Sequence, residues 1–277
     1  MNPGPQSEKV TRSPSQESPN GNLRFYDRVA PIYDQLYKEI DAAEAVRQWL
    51  ILIRRFGPVP LPRQDSRMKL LDLGCGTGRY LQPWLDAGFF VTGVDSSRKM
   101  LRRATARKAE SSNPSRVSLF RHDLRSPSTS LLKFSPFDIA VAHFNFLNLF
   151  PLREVQSILG ELRHYLLPGG RFFTDCAPPS LLPAAGQETW MIGQRMKIEL
   201  QTVPDARNRS VAQNYRWGPT EDQERYWFHT SSELNRTARL SGWMVELECG
   251  WRPERRSNPW AKKLDQLSHR VCVFKAM

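Results

Sequence analysis

Apolar positions along this chain recur in two rhythms, one near 3.6 residues and one near two. Between residues 23 and 56 they fall every three to four positions (Ile40, Ala43, Val46, Trp49 and Leu50), which predicts amphipathic helix in two pieces broken near Pro31. The breaker-rich stretch "GPVPLPRQDSR" at 57–67 ends it. Short apolar runs then alternate with helical ones. "MKLLDLG", "FFVTGVD", "RVSLFRHD", "SPFDIAVAHF" and "RFFTDC" read as strands. "GRYLQPWLDAG", "SRKMLRRATARKAE" and "REVQSILGELRHYLLPGG" read as helices, closed by Gly88 in the first and by Pro168 with two glycines in the last. This alternation predicts an α/β fold with a parallel sheet covered on both faces. A ligand should then sit at the carboxyl ends of the strands, near the switch point after the first.

After Cys176 the period drops to two. "RMKIELQTV", "RSVAQNYRW" and "ERYWFHT", separated by "PDARN" and "GPTEDQ", predict an antiparallel insertion of about three strands. A helix "SSELNRTARLSG" follows, with Ser231 or Ser232 as N-cap and Gly242 at its stop, and "WMVELECGW" and "SHRVCVFKA" close the chain as strands. On alternating faces Tyr215 and Trp217 share one side, as do Tyr226 and Phe228. With Trp190, Trp227 and Trp251 they wall an apolar pocket or form the core of the insertion.

Composition narrows the class. The chain has 277 residues, 40% hydrophobic and 25% charged, as expected of one large domain or one domain with an insertion. No apolar run approaches the ~20 residues of a membrane span, and the Pro-, Ser- and Gln-rich residues 1–22 read as a flexible tail without a signal peptide. Cys75, Cys176, Cys249 and Cys272 lie far apart, with no CxxC and no histidine at ligand spacing. Neither a disulfide framework nor a metal site is expected, and a reducing cytoplasm is the default location. The net charge of +12 is densest in "SRKMLRRATARK" at 97–108, read as a solvated helix face, with a nucleic-acid patch as the less favoured alternative.

The chemistry starts at "LLDLGCGTGRYL", residues 70–81, where Gly74, Gly76 and Gly78 stand between a strand and a helix. A dinucleotide fingerprint wants its third glycine at position 79, which is Arg79. An acid, Asp72, sits inside the preceding strand. It offers nothing to a pyrophosphate and much to an ammonium, which favours S-adenosylmethionine over a nicotinamide dinucleotide. Asp95 ends the second strand, placed to accept both ribose hydroxyls. Asp123 ends the third, where its carboxylate can accept from an adenine amino group while the amide of Leu124 meets the ring. Cys75 in the turn and Ser96 after Asp95 complete the set.

With "LLDLGCGTG", "VTGVDSSRKML", "RHDLR", "FDIAVAHFNFLNLF" and "LLPGGRFF" in order and spacing, residues 25–277 resemble the class I S-adenosylmethionine-dependent methyltransferases. The resemblance implies a Rossmann-like seven-stranded, mostly parallel sheet with a reversed last strand, and an antiparallel insertion after strand five. "YDRVAPIYDQLY" ahead of the core resembles the small-molecule branch, with its glycine N-methyltransferase-like and sugar N,N-dimethyltransferase-like enzymes. There the N-terminal helix folds over the cofactor and offers a tyrosine, here Tyr33, with Tyr26 second. "FNFLNLF" resembles a stretch that would put Asn148 near the cofactor. The organisation expected is a tail at 1–22, a helical cap at 23–60, a cofactor-binding core at 61–180, an antiparallel lid at 181–230, and a terminal helix and strands at 231–277.

Methyl transfer needs an aligned lone pair and a dry site rather than a catalytic triad. The resemblance also excludes subclasses. "AHFNFLN" after the fourth strand has neither the Asn/Asp-Pro-Pro-aromatic stretch of adenine-amino enzymes nor the nucleophilic cysteine of cytosine C5 enzymes. His143 at that strand end is the first base candidate and also borders the cofactor. His229 could reach down from the insertion, and Asn145 could orient an acceptor. The expectation is methylation of an N or O atom of a small-molecule acceptor, by a monomer or homodimer away from membranes. Two alternatives stay open: an RNA or protein methyltransferase using the basic surface, and a cofactor-binding scaffold without turnover.

Overall fold

A cap at Asp41 divides the N-terminal helical segment. The computed structural model describes residues 21–57, 68–127, 129–192, 196–251 and 269–277. Residues 1–20 of the tail expected at 1–22, residues 58–67 of the expected loop, and the side chains of Cys249 and Trp251 lie outside the described residues. The chain enters as three helices rather than two: α1 (Gly21–Val29), α2 (Tyr33–Leu36) and α3 (Ala42–Phe56). Asp41 makes the third, since its carboxylate accepts from the amides of Ala43 and Glu44 and starts a fresh helix. Asn22, expected in the tail, is anchored instead. Its Nδ2 donates to the carbonyls of Arg225 at 3.0 Å and Leu149 at 3.3 Å, and its Oδ1 accepts from the amide of Arg225 at 2.8 Å.

The sheet then builds in the predicted order: β1 (Lys69–Leu73), α4 (Leu81–Asp86), β2 (Phe90–Asp95), α5 (Arg98–Glu110), β3 (Val117–Arg121), α6 (Thr129–Leu132), β4 (Phe137–Ala142), α7 (Leu152–Tyr165) and β5 (Leu166–Cys176). An antiparallel excursion follows, through β6 (Gly186–Ile192), β7 (Met196–Asp205), β8 (Ser210–Trp217) and β9 (Thr220–Trp227). The chain closes with α8 (Ser231–Leu240), β10 (Trp243–Trp251) and β11 (His269–Ala276). The main sheet has the order β10-β11-β5-β4-β1-β2-β3. β1 to β5 run parallel, and β11 runs against both β5 and β10. This is the α/β fold with a reversed last strand that the alternation and the resemblance implied.

Both faces of the sheet are buried. α3 and α4 cover one with Trp49, Ile53, Tyr80 and Trp84, and α6, α7 and α8 cover the other with Leu131, Ile158, Leu162 and Leu234. Each large apolar side chain removed from water contributes roughly 1.5–3 kcal/mol, so these two layers carry the stability of the core. α8 begins one residue earlier than expected. Thr230, rather than Ser231 or Ser232, caps it in a reciprocal box with Glu233.

The excursion forms its own four-stranded sheet, β6-β7-β8-β9, one strand more than expected. β6 is an edge strand with no fully buried residue; its inward face, with Trp190 and Ile192, is only half-buried, so its sequence pattern is weak. One side of this small sheet carries Ile198, Leu200 and Tyr215 and packs on Phe25, Val29 and Ala30 of the N-terminal segment and on Met100 of α5.

Candidate active site

The strand order reverses between β1 and β4, and above that point lies a cleft of about 1250 Å³. Its floor is the turn after β1. Gly74 and Gly76 line the cleft with φ of +67° and +56°, a conformation that glycine adopts without a Cβ penalty. Gly78, expected with them, does not line it. A Cβ there would stand 3.0 Å from the Cα of Ala104, so its bareness lets α5 approach the turn. Cys75 donates its amide to Val94 at 3.0 Å and turns its thiol onto Gly93, so it faces the strand below rather than the cleft.

Two carboxylates meet at this floor. Asp95 lines the cleft and ties the turn to the start of α5: Oδ2 accepts from the amide of Gly76 at 2.9 Å, and Oδ1 from that of Ser97 at 2.8 Å. Burial pushes its pKa up to about 6 against the pull of those amides. Asp72 does not line the cleft: it lies beneath the turn, 1% exposed, with Oδ2 unpartnered among the described residues. Burial, then the neighbouring Asp95, pushes its pKa up to about 8. An orphaned buried carboxylate under a bare turn fits a ligand that carries an ammonium.

Walls and roof come from elsewhere in the chain. Ser96, Leu124 and Asp123 line the side towards β3, and both oxygens of Asp123 accept from the Arg125 guanidinium, the closest at 2.5 Å. An adenine amino group would therefore share Asp123 with Arg125. That pairing holds the Asp123 carboxyl below its ordinary pKa. Tyr26 and Tyr33 face the cleft from the N-terminal segment, and Tyr215 and Trp227 from the small sheet.

The N-terminal segment is tied down by charge. Asp27 accepts from the Ser97 hydroxyl at 2.7 Å. Asp34 accepts from Thr77 at 2.7 Å and pairs with Arg107 at 3.0 Å and Arg103 at 3.3 Å. Arg79 donates to the carbonyls of Ile40 at 2.7 Å and Tyr37 at 2.9 Å. Part of the basic helix expected to face solvent thus docks the segment that roofs the cleft.

Residues 70–170 match the family described as a methyltransferase domain. Over that stretch the chain carries a methyltransferase domain, and S-adenosylmethionine is its methyl donor. Over 272 residues the chain is 24% identical to a demethylmenaquinone methyltransferase of Paenarthrobacter aurescens (strain TC1), covering 94% of this chain and 98% of that one. It resembles the structure of the CcbJ methyltransferase from Streptomyces caelestis, with a TM-score of 0.68, 20% identity, and 91% and 97% of the two chains covered. It also resembles CalS10, an amino pentose methyltransferase from Micromonospora echinaspora solved with S-adenosylmethionine bound (TM-score 0.62, 18% identity, 89% and 97% covered). At these identities the structural likeness speaks for the fold. Among the described residues no helix is long and apolar enough to cross a membrane.

Within the methyltransferase domain, the residues expected to act on an acceptor find other surroundings. His143 lines the cleft but stacks on Tyr80 at 4.2 Å, edge-on to Trp49 at 5.5 Å, with its Nε2 buried and unpartnered among the described residues. Burial, then Arg79, lowers its pKa to about 3, so it stands as a neutral ring and a weak base. His229 does not reach the cleft. Its Nε2 lies 3.0 Å from the carbonyl of Phe150 and 3.3 Å from that of Leu147, which makes that nitrogen a donor pinning the end of β9 to the loop after β4. Asn148 is a buried clamp that does not line the cleft: Nδ2 donates to Trp227 at 2.6 Å and Ala177 at 3.0 Å, and Oδ1 accepts from Ala177. Asn145 does not line the cleft. It follows Phe144 in a left-handed pair, φ +60° and +55°, and its amide donates to Asp175 at 3.2 Å. Asp175 holds the strained turn that presents Phe144 to the cleft, a role the sequence reading missed.

Proposed function

We propose that this methyltransferase moves the methyl group of S-adenosylmethionine to an N or O atom of a small-molecule acceptor, held between the glycine turn and the small antiparallel sheet acting as a lid over 181–230. The observation that carries the reading is Asp95. Its carboxylate opens to the cleft while accepting the amide of Gly76, so the bare turn and a hydroxyl-binding acid are built as one unit. Asp72 would take the ammonium of the donor, Asp95 the ribose, and the side of the cleft at Asp123 and Leu124 the adenine. S-adenosylmethionine supplies a methyl group on a sulfonium that leaves by in-line displacement. The chain's own part is to align the acceptor's lone pair and exclude water. Tyr33, Phe144 and Trp227 supply the apolar walls for this.

The relatives support a small-molecule acceptor, since one acts on a demethylmenaquinone and another on an amino pentose. The RNA alternative finds less support, because Arg103 and Arg107 are engaged by Asp34. Calorimetry with S-adenosylhomocysteine tests the donor site, and transfer of tritium from labelled donor into the small-molecule fraction of a cell extract tests the acceptor class. Label recovered only in RNA or protein would overturn the reading.

A further inference from the structure

Glu224 on β9 is 1% exposed, and no cation of the described residues pairs with it. A buried carboxylate without a counter-ion is costly to keep, so what surrounds it carries information. Its partners are phenols. Tyr26 donates to Oε1 at 2.5 Å, Tyr226 hydrogen-bonds to it from the same strand, and the Tyr215 hydroxyl, which donates to Gln213 at 2.7 Å, lies 3.4 Å from Oε2. Tyr26 and Tyr215 also line the cleft. From Tyr26 the rings run on towards the glycine turn, with centroids 6.4 Å to Tyr33, then 4.8 Å to Tyr37 and 5.5 Å to Phe144. Electron-rich faces backed by one buried anion make a site for an alkylammonium rather than for a neutral alcohol.

We infer that the acceptor atom is an amine nitrogen, which enters as an ammonium, is recognised by the tyrosine faces, and is deprotonated through Tyr26 with Glu224 as the terminal proton acceptor. The inference rests on the reading of the cleft as a methyl-transfer site. The ammonium proton passes to the Tyr26 oxygen as the Tyr26 hydroxyl proton passes to Glu224. The freed lone pair forms the new N–C bond as the C–S bond breaks and its electrons return to sulfur. The methylated ammonium leaves, and Glu224 returns its proton to solvent. Burial raises the Glu224 pKa to about 7, against the pull of Tyr226, Tyr26 and Tyr215, which suits it to hold that proton for a turnover. The titratable and charged groups facing this pocket are Tyr26 on α1, Tyr33 and Tyr37 in and after α2, Arg79 beside them, Tyr215 on β8, and Tyr226 on β9. Next along β9 is Asp222, paired with Arg24 and Arg28 of α1. With Asp222 matched by Arg24 and Arg28, Glu224 is the acid of this tyrosine cluster without a paired cation among the described residues.

The test uses the full-length protein, tritiated S-adenosylmethionine and the small-molecule fraction of a cell extract as acceptor pool. The labelled product should bind a cation exchanger and survive base hydrolysis, as an amine does. At pH 7 Glu224→Gln should incorporate label about 100-fold more slowly than the parent, with S-adenosylhomocysteine affinity changed less than two-fold. At pH 9.5, where amines enter neutral, it should recover to within about five-fold of the parent. Tyr26→Phe, which keeps the ring and removes the relay, should show the same recovery, whereas a merely structural loss would be equal at both pH values. Label in a neutral ether or ester, or variants without high-pH recovery, overturn the amine assignment and leave the methyl-transfer reading standing. Failure of the parent to bind S-adenosylhomocysteine or to label anything removes both.

Discussion

Replacing Asp72 by asparagine should make the ligand-free protein more stable at pH 8 and loosen its hold on the donor. The folded state raises this carboxyl from 3.8 to about 8, chiefly by burial. Folded protein therefore keeps a proton that the unfolded chain releases above pH ~4, so stability falls as pH rises from about 4 to about 8 and is flat beyond. At ~1.4 kcal/mol per pH unit that span is worth about 6 kcal/mol as a ceiling, and water entering the cleft reduces the measurable part to about 2–3 kcal/mol. The asparagine side chain would not titrate, so the gain over the parent should grow from nothing near pH 4 to its full value at pH 8. Asp95, Asp175 and Glu224 are raised too, but they titrate in both proteins and largely cancel in the difference. Denaturant unfolding at pH 5, 6.5 and 8 reads the slope, and calorimetry reads S-adenosylhomocysteine, whose ammonium is the same. Loss of a buried charge partner predicts binding weaker by about two orders of magnitude. A variant with the parent's pH slope, or with the parent's affinity, refutes the role given to Asp72.

Asp95→Ala should abolish measurable S-adenosylhomocysteine binding while the circular dichroism spectrum stays that of the folded protein; retained affinity would contradict the ribose assignment. His229→Ala should lower stability by about 1–3 kcal/mol through the unmet Phe150 carbonyl and leave donor affinity within two-fold, as read by unfolding and calorimetry. Asp34→Ala frees Arg103 and Arg107, so proteolysis within residues 21–41 should speed up several-fold and donor binding should weaken; an unchanged cleavage pattern would argue against the docking role.

Much of this was legible because local rules and the global fold agree. Alternating apolar runs marked β1 to β5, and the glycine turn with acids at successive strand ends marked the floor of the cleft. The small sheet has one strand more than the period-two runs predict, because β6 lies at an edge and its Trp190 and Ile192 are only half-buried. His143 and His229 were placed correctly on their elements, yet their partners come from Tyr80, Trp49 and Phe150, far apart in sequence. Glu224 had a faint signal: it falls in phase with Tyr226 on one strand face, where an acid is out of place unless something meets it.

The sequence by itself determined the order of the strands and helices, the bare turn and the acids that follow it, because periodicity, breakers and strand ends are properties of neighbouring residues. Tertiary structure decided which groups are charged and which are reachable. The proton on Asp72, the neutral ring of His143 and the phenol cage of Glu224 all depend on burial and on partners brought in from other elements. Desolvation and long-range contact exist once the layers have closed.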